Sequence, residues 1–151
     1  VVWNMDSEKK INDFDFDRAE LIRRAVNQLG SAYAPYSNFH VAAAVLMESG
    51  NIYTGVNVEC ALLGNTICAE RNAIFHAFAE GERRLLAIAI VGGPDGDAGG
   101  EYCSPCGNCR QVMREFADKD TMLIIMAKSP ADYIERTLDE MLPLSFGPES
   151  L

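Results

Sequence analysis

The sequence predicts an α/β protein: a three-layer α/β/α sandwich around a mixed five-stranded sheet. Three observations carry that reading. Leu85 to Val91 and Met122 to Ala127 are unbroken apolar runs, the pattern of strands covered on both faces. His40 to Met47 and Ile52 to Val58 flank the turn Glu48-Ser49-Gly50-Asn51, which joins them as a hairpin. Segments of helical periodicity alternate with these strands.

The elements follow in chain order. Residues 1–15 are expected to form a flexible N-terminal segment, ahead of a single domain over 16–151. Asp15 or Asp17 caps a helix from Arg18 to Leu29, whose apolar face is Ile22, Ala25, Val26 and Leu29, and Gly30 ends it. Ser31 to Phe39 is a loop of turn formers and aromatics. The hairpin follows. A second helix runs from about Thr66 to Glu80, with Ala69, Ala73, Ile74, Ala77 and Phe78 on its apolar positions and Gly81 as its stop. After the strand at Leu85 comes a glycine- and aspartate-rich loop, Gly92 to Gly100. Ser104 and Pro105 read as cap and first residue of a third helix reaching about Ala117. Asp132 to Arg136 is a short edge strand. Thr137 to Glu140 fits a capping box that opens one helical turn before Pro143. Strands separated by helices are expected to run parallel.

Composition narrows the function. The chain has 151 residues, 48% hydrophobic and 23% charged, enough for one ordinary core. Its net charge of -9 suits a polynucleotide poorly, because phosphate neutralisation by basic residues supplies much of such affinity. A small-molecule substrate fits better, with no nucleic acid and no membrane as partners. No apolar run approaches the roughly 18 residues that suggest a membrane span. Val1 to Asp6 lack the basic flank and apolar stretch of a secretory signal, and Met5 reads as a candidate natural start. Three of the five cysteines, Cys103, Cys106 and Cys109, recur every third residue. Without a secretory signal this spacing favours metal binding over disulfides, and a reducing cytoplasm.

Chemistry concentrates in Thr66-Ile-Cys-Ala-Glu-Arg71 and Ser104-Pro-Cys-Gly-Asn-Cys-Arg110, both at helix starts. Cys68 and Glu70 are two apart and do not share a helix face. They can still converge just beyond the N-terminus, where first-turn side chains fan around the axis. Cys106 and Cys109 are three apart and do share a face. A helix N-terminus favours the thiolate a metal requires. Cys68, Cys106 and Cys109 would hold zinc with one position open, and Glu70 would move protons beside it. Three thiolates leave a net charge of about -1 on the site, which Arg71 and Arg110 could offset. The competing arrangement is a closed structural site of Cys68, Cys103, Cys106 and Cys109, which leaves Glu70 unexplained. Pro105 holds Cys103 extended, so it can point elsewhere. Cys60 reads as a small buried hydrophobe, and His40 and His76 as structural residues apart from the motifs.

Cys68-Ala-Glu-Arg71 with Pro105-Cys-Gly-Asn-Cys-Arg-Gln111 resembles the zinc signature of the cytidine deaminases, in their small homotetrameric three-cysteine class. Pro35 to Val41, Gly55 to Glu59 and Leu142 to Phe146 extend the resemblance over roughly 16–146. It implies the cytidine deaminase-like fold and one Zn2+ per subunit on Cys68, Cys106 and Cys109. It implies catalysis by Glu70, which moves protons between water, the pyrimidine ring nitrogen and the leaving amino group. Asn57 and Glu59 would hold the ribose and Phe39 would pack on the base. The Ala69 N–H would bind the base carbonyl, and the Ser104 carbonyl would face the amino group. Phe146 would reach into a neighbouring subunit's site within a homotetramer. The implied reaction converts cytidine and 2'-deoxycytidine to uridine and 2'-deoxyuridine in cytoplasmic pyrimidine salvage. The alternative substrate is a cytosine nucleoside analogue such as blasticidin S. One departure is Leu63, where relatives often carry a tyrosine; it removes a hydroxyl and makes that wall more apolar. Ala42 stands where glycine is common.

Overall fold

The computed structural model describes residues 15–151, so all of the predicted N-terminal segment but Asp15 lies outside the described residues. Nine labelled elements follow: α1 Arg18–Gln28, β1 Phe39–Met47, β2 Ile52–Val56, α2 Ala69–Ala79, β3 Leu85–Pro94, α3 Gly107–Phe116, β4 Leu123–Ser129, β5 Asp132–Thr137 and α4 Leu138–Met141. The sheet order is β2-β1-β3-β4-β5. Only β3 and β4 pair in parallel; the other neighbours are antiparallel. Because β2 and β3 are each antiparallel to β1, they too run parallel, as the helix between them predicted.

Period-two alternation sorts the strand side chains into two cores. Ala42, Ala44 and Leu46 of β1, Ala87, Ala89 and Val91 of β3, and Ile125 of β4 pack with Leu21, Ile22, Ala25 and Leu29 of the first helical segment. Ala43, Val45, Ile88, Ile90, Ile124 and Met126 face the opposite side, against α2 and α3. The central strands are buried on both faces, which explains their unbroken apolar runs. No helix among the described residues is long and apolar enough to cross a membrane.

Four local expectations need correction. The second helix opens at Ala69 rather than near Thr66, because Ile67 pairs with Val58 in a β-bridge and Cys68 takes the cap position. Val26 is exposed, and Leu21 takes its place on the core face of α1. Gly30 does not end the helix in a left-handed conformation; the chain tightens into a 3-10 turn, Leu29–Ser31. Ser104 and Pro105 lie before α3 rather than in it, and Cys106 is its cap residue. Ser104 Oγ instead accepts a hydrogen bond from Arg110 Nη2 at 3.0 Å. The other punctuation matches: Asp17 accepts from Glu20 N, Thr137 accepts from Glu140 N, and Gly81 follows α2 with a φ of 96°.

The start of α2 is held against the hairpin by close approach. A Cβ at Gly55 would overlap the backbone of Ala69 and Ala73. Asn72 Nδ2 donates to Val56 O at 2.8 Å and His76 Nδ1 to Thr54 O at 3.0 Å. The edge strand β2 is thus covered by a helix whose first turn is fixed in position. Gly55→Ala is expected to cost about 1–3 kcal/mol through overpacking against backbone. Denaturant unfolding checks the loss, and the zinc content of the purified variant checks that α2 is displaced with it.

Candidate metal centre

Two helices that begin side by side each carry a cysteine at the cap. Cys68 precedes α2 and Cys106 precedes α3, both in extended backbone, and neither side chain makes a capping hydrogen bond. Cys109 lies within the first turn of α3 and is buried. The Cys68 and Cys106 sulfurs are 3.8 Å apart, those of Cys106 and Cys109 3.5 Å, and all three lie within 4.8 Å of one another. Sulfurs sharing a tetrahedral zinc at bonds of about 2.3 Å stand about 3.8 Å apart. The trio therefore fits zinc by donor type and by spacing. Cys103 is not part of it, which disfavours the closed four-thiol site.

Glu70, in the first turn of α2, is only 4% exposed. Burial pushes its carboxyl up to about 7, with the neighbouring Cys68 thiolate adding to the rise and Arg71 opposing it. The Cys68 thiol is pulled down to about 5, first by hydrogen bonding with Cys109 and then by Arg71 and Cys106. Cys109 moves the other way, because it is the proton-holding partner of that bond and is itself buried. Burial raises Cys103 to about 12, a neutral thiol.

The two arginines behave differently. Arg71 Nη2 lies 3.5 Å from the Cys68 sulfur, within reach of the site's negative charge. Arg110 sends its guanidinium to Pro105 O at 2.8 Å, Met141 O at 2.7 Å and Ser104 Oγ at 3.0 Å. Its described hydrogen bonds reach no sulfur. It braces the loop before α3 against the end of α4.

A cleft of about 230 Å³ opens onto Cys68 and Cys106, with Cys109 buried behind them. Phe39, Asn57, Ala69, Glu70 and Ser104 line it with Cys68 and Cys106, as the motifs suggested. Ser37, Val41, Thr66 and Cys103 also line it; all four lie in or beside the motif stretches, but none had been given a role in binding substrate. Glu59 and Phe146 are not among the lining residues. Asn57 is buried and continues the hairpin ladder with its side chain: Oδ1 accepts from Val41 N at 2.9 Å, and Nδ2 donates to Phe39 O at 2.8 Å. Glu59 Oε1 accepts from Tyr36 N at 2.9 Å and Ser37 N at 3.0 Å, fixing the turn that leads to Phe39. Leu63 sits 67% exposed in a 3-10 turn, and Phe146 is 60% exposed in the tail.

The sequence model of the cytidine and deoxycytidylate deaminase zinc-binding region matches residues 17–125. The chain belongs to this family. It is 42% identical to the cytidine deaminase of Halalkalibacterium halodurans, over 89% of this chain and 98% of that protein. Among solved structures, the cytidine deaminase of Burkholderia pseudomallei superposes with a TM-score of 0.75 at 39% identity, covering 84% of this chain and 97% of that one. The Mycobacterium tuberculosis cytidine deaminase gives 0.74 at 38% identity, covering 88% and 99%. Family and donor set agree on one zinc per subunit.

The charge balance of this deaminase-family site is open to substitution. Arg71→Ala is expected to weaken zinc retention and lower turnover, measured by metal content after dialysis against chelator and by initial rates; unchanged values would remove Arg71 from that balance. In zinc-free protein, Glu70 releases its proton near pH 4.5 when unfolded and near 7 when folded, so it lowers stability progressively between those values. Zinc-free Glu70→Gln should be more stable than zinc-free wild type at pH 8, by at most about 3 kcal/mol. The difference should vanish at pH 4, as urea unfolding at the two pH values would report.

Proposed function

We propose that the chain hydrolyses cytidine and 2'-deoxycytidine to uridine and 2'-deoxyuridine with release of ammonia. The observation that carries this is a buried carboxyl, Glu70, beside three zinc-fit thiols and lining the same small cleft as Cys68 and Cys106. A carboxyl held within reach of the attacking water and of the base can both take and give a proton. Cys68, Cys106 and Cys109 would hold the zinc, which when bound supplies the Lewis acid that makes water nucleophilic near neutral pH. Glu70 would take a proton from the attacking water and deliver it to the ring nitrogen, then take the proton left on the added hydroxyl and pass it to the leaving amino group, so that the carbonyl forms as ammonia departs. Its burial excludes bulk water that would otherwise compete for those protons.

Substrate recognition follows from the walls. Phe39 packs on the base, the Ala69 N–H bonds the base carbonyl, and the Ser104 carbonyl faces the amino group. Asn57 retains one N–H beyond its two ladder bonds. That N–H and Glu59 Oε2 would take the ribose hydroxyl. We place the enzyme in cytoplasmic pyrimidine salvage as a homotetramer with shared sites. Exposed Val58, Leu62, Leu63 and Phe146 support an interface with further copies, since a lone protomer leaves these apolar groups in water. Phe146 of one copy would complete a neighbour's cleft. The net charge of -9 argues against a polynucleotide substrate.

Glu70→Gln should keep its zinc and its fold and lose turnover by about 10²–10⁴-fold. Metal analysis with ultraviolet loss of cytidine measures both. Cytidine, deoxycytidine, blasticidin S and a single-stranded oligonucleotide assayed side by side test the substrate. Negligible activity on both nucleosides contradicts the reading.

A further inference from the structure

Arg114 is a charged side chain that the chemistry above does not use, yet it is only 5% exposed. It lies on α3, the helix that supplies Cys109, and its guanidinium is spent on the C-terminal tail. Nε donates to Ser145 Oγ at 2.8 Å, and Nη2 pairs with Glu149. Gly147 lies directly on the guanidinium, where a Cβ would overlap Cζ and both terminal nitrogens. One turn earlier on α3, Gln111 Nε2 donates to the carbonyl of Phe146 at 2.9 Å. The tail turns sharply at Leu144, whose φ is 53°, and closes on itself through Gly147 N to Ser150 Oγ at 3.2 Å.

The tail is therefore gripped on both sides of Phe146, at Ser145 and at Gly147 and Glu149, while the Phe146 ring itself stands exposed. A segment tied by several bonds to a buried cation loses its conformational freedom before any substrate arrives. Among the described residues, the buried guanidinium of Arg114 takes its side-chain partners from the tail. The same bonds hold the backbone on either side of the outward-facing Phe146 ring.

We propose that Arg114 is a positioning residue that fixes Phe146 for the cleft of a neighbouring copy. The inference rests on the reading that Phe146 acts in that neighbouring cleft. It ties the tail of each protomer to the helix that builds that protomer's own thiol trio. Glu149 completes the strap from the solvent side, and a side chain at Gly147 would displace the Arg114 guanidinium from its place.

The test compares Phe146→Ala, Glu149→Gln and Gly147→Ala with wild type in the zinc-loaded oligomer. Glu149→Gln changes an exposed group and keeps the fold accessible even if Arg114 variants fail to fold. All three are expected to raise the KM for cytidine about 3- to 10-fold, with kcat within twofold and zinc content unchanged, because a contact made before chemistry affects binding uniformly. The double variant Phe146→Ala with Glu149→Gln should be no worse than Phe146→Ala alone, since both remove the same contact. Additive losses in the double variant overturn the proposal, because Glu149 then acts by another route. If Phe146→Ala raises KM while Glu149→Gln and Gly147→Ala do not, the strap is overturned and the role of Phe146 stands. If Phe146→Ala has no effect, the role of Phe146 falls and the strap falls with it.

Discussion

Two helix N-termini meeting over three thiols is the constraint on which the structure turns. Each start offers unpaired N–H groups and partial positive charge, so each favours a thiolate. The protein gives up something for this. Asp17 and Thr137 cap α1 and α4 through side-chain oxygens, but Cys68 and Cys106 stand at the caps of α2 and α3 without a capping bond. An oxygen cap is worth about 1 kcal/mol. The site replaces two such caps with sulfurs at tetrahedral spacing. Local rules of helix design are broken where the chemistry sits, and kept where it does not.

The rest of the fold makes that meeting point rigid. Both helices lie on the same face of the sheet, over the core lined by Ile88, Ile90, Ile124 and Met126. Gly55 lets α2 touch the hairpin backbone, and Asn72 and His76 lock it there. Arg110 braces the approach to α3 from Pro105 to Met141. Asn57 extends the hairpin by one side-chain rung and thereby holds the Phe39 wall. Burial of Glu70 follows from this packing, and its raised pKa follows from burial. Proton-transfer capacity is thus a consequence of how two helices are seated, three links removed from the sequence.

Much of this was legible in the sequence, for physical reasons that differ by residue. Strand order could be narrowed because central strands announce themselves as unbroken apolar runs. The thiol trio could be assembled because cysteines at two helix starts, three apart on one of them, match the geometry of metal ligands. Leu21 and Val26 exchanged roles because both fit an amphipathic stripe, and only the angle at which α1 crosses the sheet decides between them. Ser104 and Pro105 looked like a helix start by residue type, but Arg110 recruits the Ser104 hydroxyl and the helix opens two residues later. Arg110 was expected at the sulfurs from adjacency alone, while its length lets it reach carbonyls instead. The burial of Arg114 could not be read at all, because its partners lie more than thirty residues away in the tail. The pair Gly147 and Glu149 gave no signal without that contact.

Deaminase chemistry at this centre requires an open three-thiolate zinc site with a free position beside Glu70. X-ray absorption at the zinc edge of the purified, metal-loaded protein tests that requirement most directly. The expected shell is three sulfurs at about 2.3 Å and one lighter oxygen or nitrogen at about 2.0 Å. A shell of four sulfurs, with Cys103 drawn in, would contradict it and make the site structural.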